Sequence, residues 1–271
     1  MTRLHSLLCA GALFAAPLFT AAAPSVEEFE DYRPIYRALV EQHAGAIVTV
    51  KFVMSVTNSG AEQRVEDRTQ AVLVSDDGLL LVPDRAVSLD FGLLGAGTPG
   101  QAGPVAKSSE FRVRLSGSED WLPADLVTRD GELGIAWLRL RNPPGRLPFV
   151  DLSKGQAAEP GMVFFSLLRT SDEWGAGPVF RPGLVLGETR SPTFRLMVDG
   201  VPGLAFSHEG KPMGFVDVDL ASMMRSRAGA GLGLDMADLV LRMTPVDKVA
   251  AATAQAAKLP VAGADPVVAG R

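Results

Sequence analysis

AVLVSDDGLLLVPDRAV, residues Ala71–Val87, is the stretch from which the rest of the chain is read. An apolar run is followed by the turn Ser75-Asp76-Asp77-Gly78, a second apolar run, and then Pro83-Asp84-Arg85. Two short apolar runs joined through Asp-Gly predict a β-hairpin.

Outward from that hairpin the same grammar recurs. Ala46–Val56 alternates Val48, Val50, Phe52, Met54 and Val56 with polar or smaller partners and predicts the first strand. Asn58–Asp67 reads as a polar turn. Leu89–Ser109 is rich in Gly, Ala and Pro, lacks a period and reads as a long loop. Further short strands are expected at Phe111–Leu115, Trp121–Val127, Gly134–Leu140, Met162–Leu168, Gly183–Gly187, Phe194–Val198, Leu204–Ser207 and Met213–Val218. Many short strands between Gly/Pro turns predict an all-β sandwich or barrel.

Helices are expected only at the ends. Ser25–His43 opens on a capping-box pattern, Ser25 with Glu28, and places Phe29, Tyr32, Ile35, Tyr36 and Leu39 at helical spacing. Pro34 is expected to kink or split it. Asp235–Lys258 holds the second helix, with Thr244 as N-cap, Pro245 at the first helical position and Asp247 near the positive end of the dipole.

Composition narrows the class. The chain has 271 residues, 47% of them apolar, with 28 Gly and 19 Pro, which suits a turn-rich globular protein. A formal charge of −5 without a long Lys/Arg cluster argues against nucleic acid as a partner. Arg3 and His5, the apolar core Leu7–Phe19 and the small residues Thr20–Ala23 read as an export signal cleaved after Ala22; the alternative is an uncleaved anchor, and the core is short for a span. The one cysteine, Cys9, lies inside that signal, so the mature chain is expected to hold neither disulfides nor a cysteine metal site. An export signal without disulfides suits a periplasmic or secreted bacterial protein.

The hairpin and the segments after it resemble the trypsin-like serine proteases, the HtrA-type bacterial branch in particular. In that family a hairpin x-G-x-I-x-x-D-G-x-I-L-T-N-N-H-V-V delivers the catalytic histidine. With Asp77-Gly78 on the family's D-G and Ala86-Val87 on its V-V, Arg85 stands in the histidine's place. Arg129-Asp130-Gly131-Glu132-Leu133-Gly134-Ile135-Ala136-Trp137-Leu138 is similar to R-D-x-x-x-D-L-A-V-L, and Gly134 takes the place of the catalytic aspartate. Phe111–Val127, Leu147–Gly161 and Pro182–Gly187 resemble further family segments. Where the nucleophile loop reads G-N-S-G-G-P, this chain has Asp199-Gly200-Val201-Pro202-Gly203-Leu204. Val201 or Pro202, depending on the alignment, replaces the serine.

The resemblance implies a mainly β fold of two packed six-stranded antiparallel β-barrels with an N-terminal and a C-terminal helix. Its layout is a signal over 1–22, a domain over 23–258 with barrels over roughly 44–145 and 146–240, a helix over 245–258 and a tail over 259–271. It also implies a degenerate triad. Serine hydrolysis needs a hydroxyl, a histidine base in reach and a group orienting that base. Arg85 stays charged and is no base near neutrality. Gly134 has no side chain, and Pro202 removes an N–H from the loop that would form the oxyanion hole.

The two histidines beyond the signal, His43 and His208, offer little: one is expected at a helix end, the other in the turn Ser207–Gly210. Asp76-Asp77 and Glu27-Glu28 read as turn and helix-start residues. Trp174, in the Gly-rich stretch Ser171–Pro178, is a candidate stacking residue. No spacing suggests a metal or nucleotide cofactor. The expectation is an exported, catalytically inactive serine-protease homologue that binds a peptide or protein, with Arg85, Gly200, Val201, Pro202 and Gly203 as the cleft and no membrane span in the mature chain. The alternatives are an active endopeptidase with a relocated catalytic set, or a structural component of the bacterial envelope.

Overall fold

Leu79–Pro83 is buried at every residue, which a strand achieves only when both its faces are covered. It is β3, the second arm of the expected hairpin. The computed structural model describes residues 31–58, 61–90, 105–190, 194–218 and 241–260.

The first barrel consists of β1 (Ile47–Asn58), β2 (Ala61–Leu73), β3 (Leu79–Pro83), β5 (Val105–Arg114), β6 (Trp121–Asp130) and β7 (Ile135–Leu140). A short strand, β4 (Ser88–Asp90), pairs with β5 outside the ring. The order is β1-β2-β3-β7-β6-β5, and β1 pairs with β5 to close it. The second barrel holds β8 (Val163–Arg169), β9 (Pro178–Thr189), β10 (Arg195–Asp199), β11 (Gly203–Phe206), β12 (Pro212–Asp217) and β13 (Leu241–Pro245). Its order, β8-β9-β10-β13-β12-β11 with β8 paired to β11, repeats the first. The chain therefore folds as two closed six-stranded antiparallel barrels of like connectivity, the trypsin-like arrangement.

Alternation sets the cores. Val48, Val50 and Phe52 face inward with Phe111 and Val113, while Thr49 and Lys51 face out. Phe164, Val185, Leu196, Val198, Met213 and Met243 fill the second barrel. Each such side chain contributes about 1.5–3 kcal/mol by leaving water. At the β2–β3 turn, Ser75 Oγ accepts from Leu79 N (3.0 Å) and donates to Asp77. Gly78 has φ +91° and an added Cβ would stand 3.0 Å from Leu140, so the turn requires glycine.

The helices flank the barrels. α1 (Arg33–His43) starts at Arg33, which puts Pro34 in its first turn, where the missing N–H costs no bond, and not at a kink. The expected cap at Ser25 and Glu28 lies outside the described residues, as do the expected export signal and residues 261–271. α2 (Val246–Ala256) packs Val246, Val249 and Ala256 inward. It reaches the first barrel through Trp137 Nε1, which donates to Thr253 Oγ1 at 3.0 Å. No helix of the described residues is long and apolar enough to cross a membrane.

Several sequence expectations change. Asn58–Asp67 is not a turn: β1 and β2 pair from Ile47↔Val72 out to Asn58↔Ala61. The expected loop over Leu89–Ser109 contains part of β4 and the start of β5; residues 91–104 lie outside the described residues. Thr244 does not cap a helix. It belongs to β13, which closes the second barrel beyond the expected boundary at 240, and its hydroxyl donates to Leu133 O at 3.1 Å.

Candidate functional site

After β3 the chain turns through Asp84-Arg85-Ala86 as one turn of 3₁₀ helix. Asp84 N donates to Gly134 O (3.0 Å), Val87 N donates to Asp84 O (2.9 Å), and Ala86 is buried. Pro83 and this turn thus fix Arg85 at the rim of the first barrel. Asp84 is also ion-paired with Arg129 (Nε–Oδ1 3.1 Å). Burial nevertheless holds its carboxyl above the usual range, against the pull of Arg129.

Arg85 forms an ion pair with Asp217, the last residue of β12 in the second barrel. Neither Arg85 Nη1 nor Asp217 Oδ1 has a further hydrogen-bond partner among the described residues. Burial lowers the arginine's pKa from its ordinary value, which is so high that the guanidinium stays charged. Arg85 is thus salt-bridged and still reaches a cavity wall.

Gly134 lies beside this pair. It has φ +72°, a conformation that disfavours a side chain, and a Cβ there would stand 3.4 Å from Asp217 Oδ2. The carboxylate next to Arg85 therefore comes from the second barrel and not from position 134. Asp217 was missed from sequence because an acid ending an apolar run has no distinguishing period; only barrel closure brings it to Arg85.

Arg85, Val201, Pro202 and Gly203 line one cavity of about 400 Å³ between the barrels, together with Arg68 and Arg169. Gly200 does not line it; a Cβ there would stand 2.7 Å from the Phe164 ring, so Gly200 serves close packing. A larger hollow of about 570 Å³ runs along β5 and β6 and includes none of the expected site residues.

The cavity's far wall is a set of bonds between barrels. Gln70 on β2 donates to Arg169 O (2.8 Å) and accepts from Arg169 N (3.1 Å). The Arg169 guanidinium donates to Ile47 O (2.6 Å), Ala176 O (3.0 Å), Ala44 O and Ser116 Oγ. Burial, then the nearby Arg114, lowers its pKa. Asp172 accepts from Arg68 (2.5 Å) and Arg114, which hold its carboxyl below the usual range, Arg114 most. On the same loop Trp174 is 79% exposed.

Compared with protein-family models and with curated proteins, the chain matches none of them.

The histidines lie elsewhere. His43 stacks on Phe206 (centroids 4.5 Å apart), its Nε2 stands 2.7 Å from Gly210 O, and its buried Nδ1 has no hydrogen-bond partner among the described residues. A carbonyl can only accept, so Nε2–H is the donor; burial lowers the ring's pKa, against the pull of that bond. His208 is an exposed turn residue 3.9 Å from Glu209, which is itself paired with Lys211 (2.5 Å). Among the described residues no group of three His, Cys, Asp or Glu could hold a metal ion.

Proposed function

We propose that this chain is an exported serine-protease homologue without hydrolytic activity, which binds an extended peptide or a protein segment in the inter-barrel cavity. The observation that carries the reading is the Arg85–Asp217 pair. It occupies the place where a trypsin-like fold would need a neutral base held by a carboxylate, and a paired guanidinium accepts no proton. Val201 and Pro202 beside it offer no nucleophilic oxygen. Export to the periplasm or medium rests on the leader-like residues 1–22.

The test is hydrolysis of casein by the purified protein and by its Arg85→His and His208→Ala variants. No turnover above blank by any of the three supports the reading. Turnover that vanishes only in His208→Ala defeats it in favour of a relocated catalytic set.

A second reading, an envelope assembly component, is favoured by one observation. Val163, Leu184 and Leu186 are exposed together on β8–β9, where Val163 pairs directly with Leu184. Sedimentation of the protein and of Leu186→Asp separates the two: self-association that the substitution abolishes favours assembly.

A further inference from the structure

The inter-barrel cavity has an excess of positive charge in a chain whose net charge is −5. Among the described residues Arg68, Arg85 and Arg169 line it, against one lining carboxylate, Asp172. Asp172 is shared between Arg68 and Arg114, and Asp217 takes Arg85. The side-chain bonds of Arg169 described above all go to carbonyls and a hydroxyl, so among the described residues no carboxylate neutralises it. Behind the cavity, Lys51 Nζ, Arg114 Cζ and Arg68 Cζ stand 4.8, 5.1 and 5.7 Å from the centre of the Trp121 ring. Lys51 also has Glu66 at 3.8 Å, while Arg68 and Arg114 share Asp172, so the stacking helps hold two guanidinium groups beside one acid. Hydroxyl-bearing residues complete the wall: Thr49, Thr69, Thr170 and Ser171.

We propose that this cavity binds the carboxylate of a peptide, with Trp174 covering an adjoining apolar side chain. The inference rests on the peptide-binding reading above and names its ligand class. A guanidinium presents a planar fork that matches a carboxylate. Arg68 is half exposed and gives Nη1 to Asp172, so the rest of its fork faces an incoming anion. Trp174 projects from the loop whose base, Ser171 and Asp172, lines the cavity. That loop is tied down by Arg169 Nη1 to Ala176 O (3.0 Å) and by Thr170 N to Gly177 O (2.9 Å), so the indole is held out beside the cavity. A held, exposed aromatic supplies contact area at small ordering cost. A nucleic acid fits less well, because the acidic chain as a whole repels a polyanion.

The carboxylate is either a chain terminus or an Asp/Glu side chain, and four probes separate these sources. They are fluorescein-labelled octapeptides alternating Leu with Glu, or Leu with Gln, each with a free or an amidated C-terminus. Binding to the protein is read by anisotropy. A carboxylate-bearing probe should bind at least about tenfold tighter than the amidated Gln peptide, the worth of one charge-assisted hydrogen bond. Tight binding by the free-ended Gln peptide assigns the terminus; tight binding by the amidated Glu peptide assigns the side chain. Arg68→Gln should weaken the preferred probe about tenfold, and Trp174→Ala should weaken all probes severalfold; both side chains are exposed, so both variants should melt near the parent temperature. Equal binding of all four probes overturns the carboxylate assignment and leaves the peptide-binding reading intact. Binding of none overturns it together with the peptide-binding reading, whereas the casein test judges only the absence of hydrolysis. A preference unchanged in Arg68→Gln, or a probe displaced equally by oligothymidylate, also defeats the proposal.

Discussion

The guanidinium of Arg85 and the carboxylate of Asp217 join the rim of the first barrel to the end of β12 in the second. One charge comes from each barrel, and both are largely removed from water, with side-chain exposures of 32% and 18%. The pair is at once the middle of the candidate site and a tie across the domain.

Removing one partner leaves the other charge half-buried. Asp217→Leu is expected to cost about 2 kcal/mol, less than the roughly 3–5 of a fully buried pair because Arg85 keeps contact with solvent. Adding Arg85→Met should restore most of that loss. Urea unfolding of the two single variants and the double variant gives the coupling; strict additivity would mean that the charges do not sense each other.

His43 makes stability depend on pH. Its folded pKa is below the ordinary histidine value because the ring is buried, so the unfolded chain binds the extra proton first. The contribution is fully present above the unfolded value, about 6.5, and is lost as pH falls through that value toward the folded one. Unfolding free energies measured between pH 7.5 and pH 5 should fall more steeply for the parent than for His43→Gln. Parallel curves would remove His43 as the cause.

Among the described residues Trp137 is the buried one of two first-barrel holds on α2; Arg139 Nη2 also donates to Ala257 O, at 3.1 Å. Thr253→Val is nearly isosteric but leaves the buried indole N–H without the hydroxyl it reaches at 3.0 Å. The expected loss is about 1–3 kcal/mol by thermal or urea unfolding. Thr253→Ser should retain most of the stability.

Much of the fold is legible in the chain because closure of a barrel needs inward residues at every second position, and Val48–Phe52 and Phe111–Val113 supply them. The polar half of β2, AEQRVEDR, is not legible. From Glu62 to Arg68 its side chains are exposed, and its pairing to β1 is backbone to backbone, which leaves no mark on residue type. β13 is obscured for another reason: Thr-Pro reads as a helix start, and a helix does follow, one residue later. Arg85, Val201, Pro202 and Gly203, which the sequence reading groups together, do line one cavity. Arg68, Arg169, Asp172 and Asp217 are not legible, since each is an ordinary surface charge until two barrels meet.

Gly134 has a consequence for how such a chain can change. An aspartate there would sit in a left-handed conformation costing roughly 1–2 kcal/mol and put its Cβ 3.4 Å from Asp217 Oδ2. A neutral histidine at 85 would lose the charge that Asp217 now answers. Loss of Asp217 alone would leave Arg85 half-buried and unpaired. The three positions interlock, so a single substitution at any of them is expected to give a less stable molecule, and the changes this site accommodates are those made at two of them together.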